Sequence, residues 1–277
     1  MMRSNSTIGR RYGWKRQLPH FGDARFKPMA VYPLPDRVDL RETGFLPPVY
    51  DQGKIGSCTA NAIAAAFDFC RKKEGLAWIY PSRLFIYANE RIAEGTSLDQ
   101  DSGAEIRDGV ASVSSKGVCP ESMWPYSTLF HSESDLFKIA PKDECYGAAL
   151  SELAVQHQAV DQSAITATLA QGLPVICGIT VYASFESPSV NVSGVVPMPL
   201  YTDPENPPPS DWDHPLTDWP MGGHAILVVG YDLKAGVYIC RNSWGDGWGQ
   251  KGYFTIPMAY LQNPNLASDF WVIQKVA

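Results

Sequence analysis

The sequence changes its pattern near residue 173, and this change limits the possible folds more than any other feature. Before it, apolar residues recur at helical spacing in three segments, residues 57–74, 82–93 and 104–117. After it come short runs rich in β-branched and aromatic residues, bounded by Gly, Pro and Asp, as is typical of strands. A helical part followed by a β part predicts an α+β fold. The 277 residues are enough for two lobes that share an interface.

We divide the chain accordingly into an arm and a two-lobed body. Residues 1–35 form the arm, which is interrupted by prolines and holds seven Lys or Arg in its first 30 positions against a single acid. The body, residues 36–277, has a mainly helical lobe at 36–165 and a mainly β lobe at 166–277. The β lobe includes an acidic excursion at 187–222 that carries nine prolines, and loops of this length are often functional.

Composition excludes several classes of protein. The net charge of −6 argues against a general nucleic-acid binder, and no apolar run approaches the 18 residues expected of a membrane span. The basic start has no apolar stretch of the kind found in secretory signals, so we expect a cytoplasmic location, with non-classical export left open. The six cysteines are widely spaced, without a CxxC or Cys/His cluster. This spacing predicts reduced thiols and neither a metal nor a cofactor.

One of these cysteines, Cys58 in the stretch "QGKIGSCTAN", lies where the first helix is predicted to start. Ser57 can cap that helix, and a thiol in the first turn faces the positive end of the helix dipole, which lowers its pKa. The small or polar neighbours Gly56, Ser57 and Thr59 suit close approach of a substrate better than core packing. A nucleophile and a buried structural cysteine are both compatible with this stretch.

A nucleophilic thiolate needs a base, and His224 is the best placed of the five histidines. It follows two glycines at the start of an apolar strand in "MGGHAILVVGYD". Asn242, in "CRNSWGDGWGQKGYFTI", is spaced to fix the imidazole ring and its tautomer, and Trp244 would keep water from that contact. A packed core histidine and a glycine-rich turn are the alternative interpretations of these two stretches.

Three stretches, "DQGKIGSCTANA", "GGHAILVVGYD" and "RNSWGDGWGQKGYF", resemble the active-site blocks of the papain family of cysteine peptidases, in that family's order. "KGVCPESMWPY" and "GWKRQLP" are similar to its bacterial and viral branch, which has short N-terminal segments. The resemblance implies a papain-like fold with a helical lobe, an antiparallel β-barrel-like lobe and the cleft between them. It also implies a bacterial thiol protease without a cofactor, expected to act as a monomeric endopeptidase on peptides or proteins.

The resemblance assigns roles to single residues. Cys58 corresponds to the nucleophile and His224 to its ion-pair partner and general acid. Asn242 orients His224, and Trp244 shields their contact. Gln52 corresponds to the glutamine of the oxyanion hole, with the Cys58 backbone N–H as the second donor. Four further residues are expected to contact the substrate: Ser102, Gly103, Gly222 and Gly223.

Three departures from the family pattern leave alternatives open. Ile55 stands where papain has a cysteine, which removes a familiar disulfide, and Thr59 replaces the usual aromatic residue after the nucleophile. Gly223 replaces the acidic residue common before the histidine, which puts the usual pH profile in doubt. The same catalytic pair would suit an amidase or transpeptidase with an amine acceptor. A catalytically silent papain-like binding protein is a further alternative.

The arm is too short for the long helical propeptide of plant and lysosomal relatives. Its basic charge instead predicts a short inhibitory prosegment that folds back in or near the cleft, so that deletion of residues 1–35 would raise activity. Acidic residues just before the histidine are expected either near one cleft wall, where they would also favour basic peptides, or simply exposed to solvent in the loop. These acids are Asp203, Glu205, Asp211, Asp213 and Asp218.

Overall fold

The structure, a computed structural model, describes residues 12–29, 33–126, 136–200 and 218–277. Its α-helices in these ranges are α1 (Cys58–Lys73), α2 (Arg83–Ala93), α3 (Ile106–Ser115), α4 (Asp143–Ala149), α5 (Ile165–Ala170), α6 (Pro188–Ser193) and α7 (Met258–Gln262). Its strands are β1 (Arg25–Phe26), β2 (Arg37–Asp39), β3 (Gln156–Val160), β4 (Val175–Tyr182), β5 (Pro220–Asp232), β6 (Val237–Arg241), β7 (Tyr253–Pro257) and β8 (Ala267–Lys275). None of these helices combines the length and apolar composition that a bilayer-spanning segment needs.

The first helix, α1, lies at the centre of the core. Every residue from Cys58 to Arg71 is buried. Five of the helix residues are alanines, which combine high helix propensity with a side chain small enough for close packing. The helix contacts α2 and α3 as well as strands β5 and β8, so it joins the helical part of the molecule to the sheet. This contact holds the start of α1 in a fixed position beside β5.

The strands form one sheet in the order β1-β3-β8-β4-β5-β6-β7. Neighbours are antiparallel except for β1 and β3, which are parallel. The long strand β5 pairs with β4 along its first part and with β6 along its second, and β2 joins its last three residues. In the described ranges the two ends of this order, β1 and β7, are not paired with each other. The predicted α+β, two-lobe fold is confirmed, with an open sheet in the β lobe.

The basic arm and the acidic excursion are described only in part. The contacts between arm and body include a parallel bridge between Trp14 and Ala104 and the pairing of β1 with β3. In the excursion, residues 201–217 lie outside the described residues, and with them four of the five acids expected near the cleft wall. The fifth, Asp218, is buried, and its carboxylate accepts hydrogen bonds from the backbone and hydroxyl of Ser184 at 2.7 and 2.6 Å. Asp218 therefore stabilises a loop and does not form an exposed acidic wall.

Candidate active site

The loop before α1 is held by a tyrosine that the sequence interpretation missed. The helix begins at Cys58, one residue later than predicted, and the Ser57 side chain does not cap it. The Ser57 hydroxyl forms a 2.9 Å hydrogen bond with the hydroxyl of Tyr126, which itself donates to the Gln52 carbonyl oxygen at 2.5 Å. The guanidinium of Arg83 lies 4.0 Å from the Tyr126 ring centre and holds the ring in place. The predicted N-cap is wrong, because the Ser57 hydroxyl forms its hydrogen bond with Tyr126 and not with a backbone N–H of the helix.

The thiol of Cys58 is fully enclosed. Backbone N–H groups of Ala225 and Gly13 lie near the sulfur. Burial raises the pKa of the thiol to about 11, and these N–H groups lower it in part. The prediction of a lowered pKa is therefore wrong for this closed arrangement, because loss of hydration outweighs the donors. Since Gly13 belongs to the arm, the arm itself contributes to the enclosure.

The predicted base, His224, is buried inside strand β5. We expected it at the start of a strand, but β5 begins at Pro220, four residues earlier. The reason is that Gly222 and Gly223 pair with β4, which overrides the low strand propensity of glycine. His224 is paired with Ile179 across the ladder, and its neighbour Ala225 reaches the Cys58 sulfur. The structure thus places the predicted base next to a residue whose backbone lies near the predicted nucleophile.

The ring of His224 is fixed by Asn242. Its Nε2 lies 2.9 Å from Asn242 Oδ1, which also accepts the Ser243 backbone N–H at 2.8 Å. Because this oxygen can only accept, Nε2 carries the proton, and Nδ1 is the basic nitrogen of the neutral ring. The Trp244 ring lies 4.9 Å from the imidazole, centre to centre, and covers it. Trp244 is itself packed against Phe185 at 5.5 Å, so the cover is rigid.

The side chain of Gln52 is fixed on both sides of the cleft. Its Oε1 accepts a hydrogen bond from the Ser243 hydroxyl at 2.6 Å, and its Nε2 donates to the Ile55 carbonyl at 2.9 Å. Its backbone N–H donates to the Ser243 carbonyl at 2.9 Å. Gln52 is buried and connects the loop before α1 to the segment that follows Asn242.

The arm contacts the part of the body that was predicted to bind the substrate. The Trp14 N–H donates to the Gly223 carbonyl at 3.0 Å. Ala104 donates its N–H to the Gly13 carbonyl at 2.7 Å and accepts the Lys15 N–H at 3.0 Å. A Cβ added at Gly223 would lie 2.8 Å from the Trp14 ring, so glycine is needed for this approach.

Of the other three residues predicted to contact the substrate, two border the arm and one does not. Gly103 has a φ of 69°, which favours glycine, and a Cβ there would overlap the Gly13 carbonyl oxygen. A Cβ on Gly222 would lie 2.7 Å from the Tyr12 Cβ. The Ser102 hydroxyl donates instead to the Gly103 carbonyl at 3.0 Å and does not contact the arm among the described residues. Gly103 and Gly222 thus border the arm together with Gly223.

Beside Cys58 lies a buried carboxyl group that the sequence interpretation also missed. The Thr59 hydroxyl donates to Glu90 Oε2 at 2.8 Å, and Glu90 is fully buried. Burial raises the pKa of Glu90 to about 8. A Cβ on Gly109 would overlap Glu90 Oε1, so this glycine leaves room for the carboxyl group. The signal in the sequence was Thr59 itself, where the family has an aromatic residue.

Comparisons with known proteins identify the family. The family model described as "Papain family cysteine protease" matches residues 214–271. A peptidase C1-like protein of Acanthamoeba polyphaga mimivirus is 36% identical, and the alignment covers 98% of this chain and 89% of the relative. Fold and sequence together define a cysteine peptidase, and the chain belongs to the papain family of cysteine proteases. Membership of this family implies peptide or protein substrates.

Two further comparisons agree with this family. The crystal structure of xylellain, a cysteine protease from Xylella fastidiosa, superposes with a TM-score of 0.82, with 38% identity and 96% of each chain covered. Mouse cathepsin K is 30% identical over 79% of this chain, which spans 59% of the length of cathepsin K. The resemblance to viral and bacterial family members stated from the sequence is therefore confirmed.

Proposed function

We propose that the chain hydrolyses peptide bonds with Cys58 as the nucleophile, His224 as the proton carrier and Asn242 as the residue that positions it. The observation that carries the proposal is the 2.9 Å hydrogen bond between His224 and Asn242. It fixes one imidazole tautomer and leaves Nδ1 as the nitrogen that exchanges a proton. This ring belongs to the strand segment whose next N–H reaches the Cys58 sulfur.

The reaction follows from these positions. His224 Nδ1 takes the thiol proton, and the Cys58 sulfur attacks the scissile carbonyl carbon, so that an S–C bond forms. His224 then gives the proton to the leaving amine as the C–N bond breaks, which leaves a thioester. Water replaces the amine, His224 removes a proton from it, and hydrolysis of the thioester returns the thiol. Burial of Asn242 and His224 excludes water from the contact that fixes the ring.

The oxyanion of each tetrahedral intermediate needs donors that are in place beforehand. The Cys58 N–H lies at the start of α1, where the helix dipole is positive. The side-chain amide of Gln52 is the second donor in this proposal. Removal of one such donor typically costs about 2.7–4 kcal/mol in the transition state. Ser243 holds the Gln52 amide and so prevents rotation of this donor.

The test is Cys58→Ala, with Cys70→Ala in the same helix as the matched control. Both cysteines are buried, but Cys70 lies at the far end of α1. We expect Cys58→Ala to reduce the hydrolysis of fluorogenic peptides by at least roughly 10³-fold and Cys70→Ala to retain it. Cleavage by Cys58→Ala at the wild-type rate would refute the assignment. Product analysis with an added amine separates hydrolysis from acyl transfer.

We further propose that the arm inhibits the chain by covering its own cleft. Gly13 lies against the Cys58 sulfur, and the Trp14 N–H occupies the Gly223 carbonyl. Lys15 forms a 2.7 Å ion pair with Glu94, so arm and body have complementary charge. A substrate cannot reach Cys58 while these contacts hold, and the arm must leave before catalysis.

A further inference from the structure

A small cavity adjoins Asn242, the residue proposed to position His224. Its volume is about 10 Å³, and it lies where helix α1, strand β5 and residues 241–243 meet. A space of this size accommodates one water molecule and nothing larger. The question is whether the side chains that line it can bind a water.

Two of these side chains carry a buried polar atom without a hydrogen bond among the described residues. The atoms are the Tyr50 hydroxyl oxygen and Asn242 Nδ2. The Asn242 oxygen, by contrast, is used twice, by the imidazole of His224 and by the Ser243 N–H. A buried donor without an acceptor is costly, so the Asn242 amide needs a partner for its nitrogen.

Asn61 supplies a third polar group to the lining. Its Nδ2 donates to the Ser57 carbonyl at 2.8 Å. Its Oδ1 accepts the Arg83 guanidinium at 3.1 Å and has a second lone pair. The cavity therefore offers two donors, the Tyr50 O–H and the Asn242 amide N–H, and one acceptor. Buried water molecules typically make about three hydrogen bonds, so this set is sufficient.

The Tyr50 ring is held in place by two cations. The guanidinium carbons of Arg83 and Arg241 lie 4.7 and 4.9 Å from the ring centre. Attraction between these cations and the ring restricts its movement. Burial raises the pKa of the Tyr50 hydroxyl, so this group keeps its proton and remains a donor.

We propose that the cavity binds one water molecule that links the Tyr50 hydroxyl to Asn242 Nδ2, which makes Tyr50 a positioning residue for His224. The proposal rests on the peptidase function proposed above. Asn242 must present its oxygen to His224 Nε2, because this orientation selects the tautomer whose Nδ1 takes a proton. A half-turn of the amide would present Nδ2 instead and favour the other tautomer. A water that accepts from Nδ2 opposes this half-turn.

The first experiment compares Tyr50→Phe with Tyr231→Phe in the full-length chain. Tyr231 also has a buried hydroxyl without a hydrogen bond among the described residues, but it does not line the cavity. We expect Tyr50→Phe to lower kcat for a fluorogenic peptide by roughly 3- to 10-fold with KM unchanged, since one hydrogen bond that positions the imidazole is lost. Tyr231→Phe should change neither constant. An unchanged kcat in Tyr50→Phe, or an equal loss in both variants, would overturn the proposal.

A double-mutant cycle tests whether Tyr50 acts through Asn242. In a chain that carries Asn242→Ala there is no amide left to position, so adding Tyr50→Phe should lower kcat no further. If the second substitution lowers kcat by the same factor in this chain as in the wild type, Tyr50 acts independently of Asn242 and the proposed link is wrong. Thermal unfolding of each variant verifies that it is folded.

A crystal structure of the full-length chain separates this proposal from the peptidase function. We expect electron density for one water within hydrogen-bonding distance of both the Tyr50 hydroxyl and Asn242 Nδ2. A cavity without a water, or a water that contacts only one of these atoms, overturns the proposal whatever the activity. A water bound to both atoms supports the site even if no peptide is cleaved, in which case the peptidase proposal alone fails.

Discussion

One added methyl group at Gly13 tests whether the arm closes the cleft. Deletion of residues 1–35 is a less specific change, because it also removes β1, whose residue Phe26 is buried against the sheet. Gly13→Ala leaves β1 in place. A Cβ at Gly13 would overlap the Gly56 carbonyl oxygen, which is backbone and cannot turn aside. The arm must therefore move away from the start of α1.

The size of the effect follows from the hydrogen bonds that this movement breaks. Three backbone bonds hold the arm at this point: Trp14 to Gly223 at 3.0 Å, Ala104 to Gly13 at 2.7 Å, and Lys15 to Ala104 at 3.0 Å. Each is worth about 1 kcal/mol net, so losing all three weakens docking by about 3 kcal/mol. That energy corresponds to a change of roughly 100-fold in the ratio of docked to released arm. Both kcat/KM and the reactivity of the Cys58 thiol are proportional to the fraction of molecules in which the arm is released.

Two assays report the release. The first is alkylation of Cys58 by iodoacetamide, followed by mass spectrometry, which depends on access to the thiol and not on substrate preference. The second is kcat/KM for a fluorogenic peptide. Both should rise in Gly13→Ala, by up to roughly 100-fold, until the arm is fully released. Alkylation at neutral pH should also increase because water reaches the sulfur and the burial that raises its pKa is relieved.

The control is Gly147→Ala in α4, where an added Cβ meets nothing within 4 Å. It changes a glycine to alanine on the body without touching the arm. If Gly13→Ala and Gly147→Ala agree within about threefold in both assays, the arm does not gate the site and the hydrogen-bond reasoning fails. Thermal unfolding of both variants checks that the body stays folded.

Two further substitutions test the site and its support. Asn242→Ala should lower kcat by roughly 10²-fold in steady-state assays, because His224 loses its fixed tautomer, and Asn242→Asp should restore part of the rate; an unchanged kcat would exclude the positioning role. Glu90→Gln should change how stability varies with pH in urea unfolding. The native state holds the Glu90 proton up to about pH 8, whereas the ordinary pKa is 4.5. As the pH rises from 4.5 to about 8, the free energy of unfolding of the wild type should therefore fall by about 1.4 kcal/mol per pH unit. Glu90→Gln should reduce that slope. Parallel pH curves for the two proteins would contradict the assignment of a buried, protonated carboxyl group.

Patterns with a regular period could be predicted from the sequence. The helix at Cys58 begins one residue from its predicted position, and the apolar runs after residue 173 all form strands. The three short strands β1, β2 and β3 could not be predicted, since they have two, three and five residues and no apolar alternation. Their pairing partners lie far away in the sequence, so tertiary contacts rather than local propensity create them.

Side-chain contacts across the cleft were harder to predict than the candidate catalytic residues. Cys58, His224 and Asn242 could be proposed from motifs that resemble the family's, whereas Tyr126 and Glu90 act through hydrogen bonds to residues far away in the chain. No period or motif marks such contacts. The thiol pKa was predicted in the wrong direction for a related reason: the helix dipole is local and visible in the sequence, but the enclosure depends on Gly13.

A carboxylate of the body also anchors the arm. Asp269 Oδ2 accepts the Trp14 indole N–H at 2.9 Å and the Gln17 backbone N–H at 3.1 Å. Hydrogen bonds to a charged acceptor are stronger than those to a neutral one, so Asp269→Asn should weaken both bonds and raise the alkylation of Cys58. Gly13→Ala releases the arm at a different point, and both variants should therefore change thiol access in the same direction. Thiol access that rises in Gly13→Ala but stays at the wild-type level in Asp269→Asn would show that the backbone bonds alone hold the arm closed.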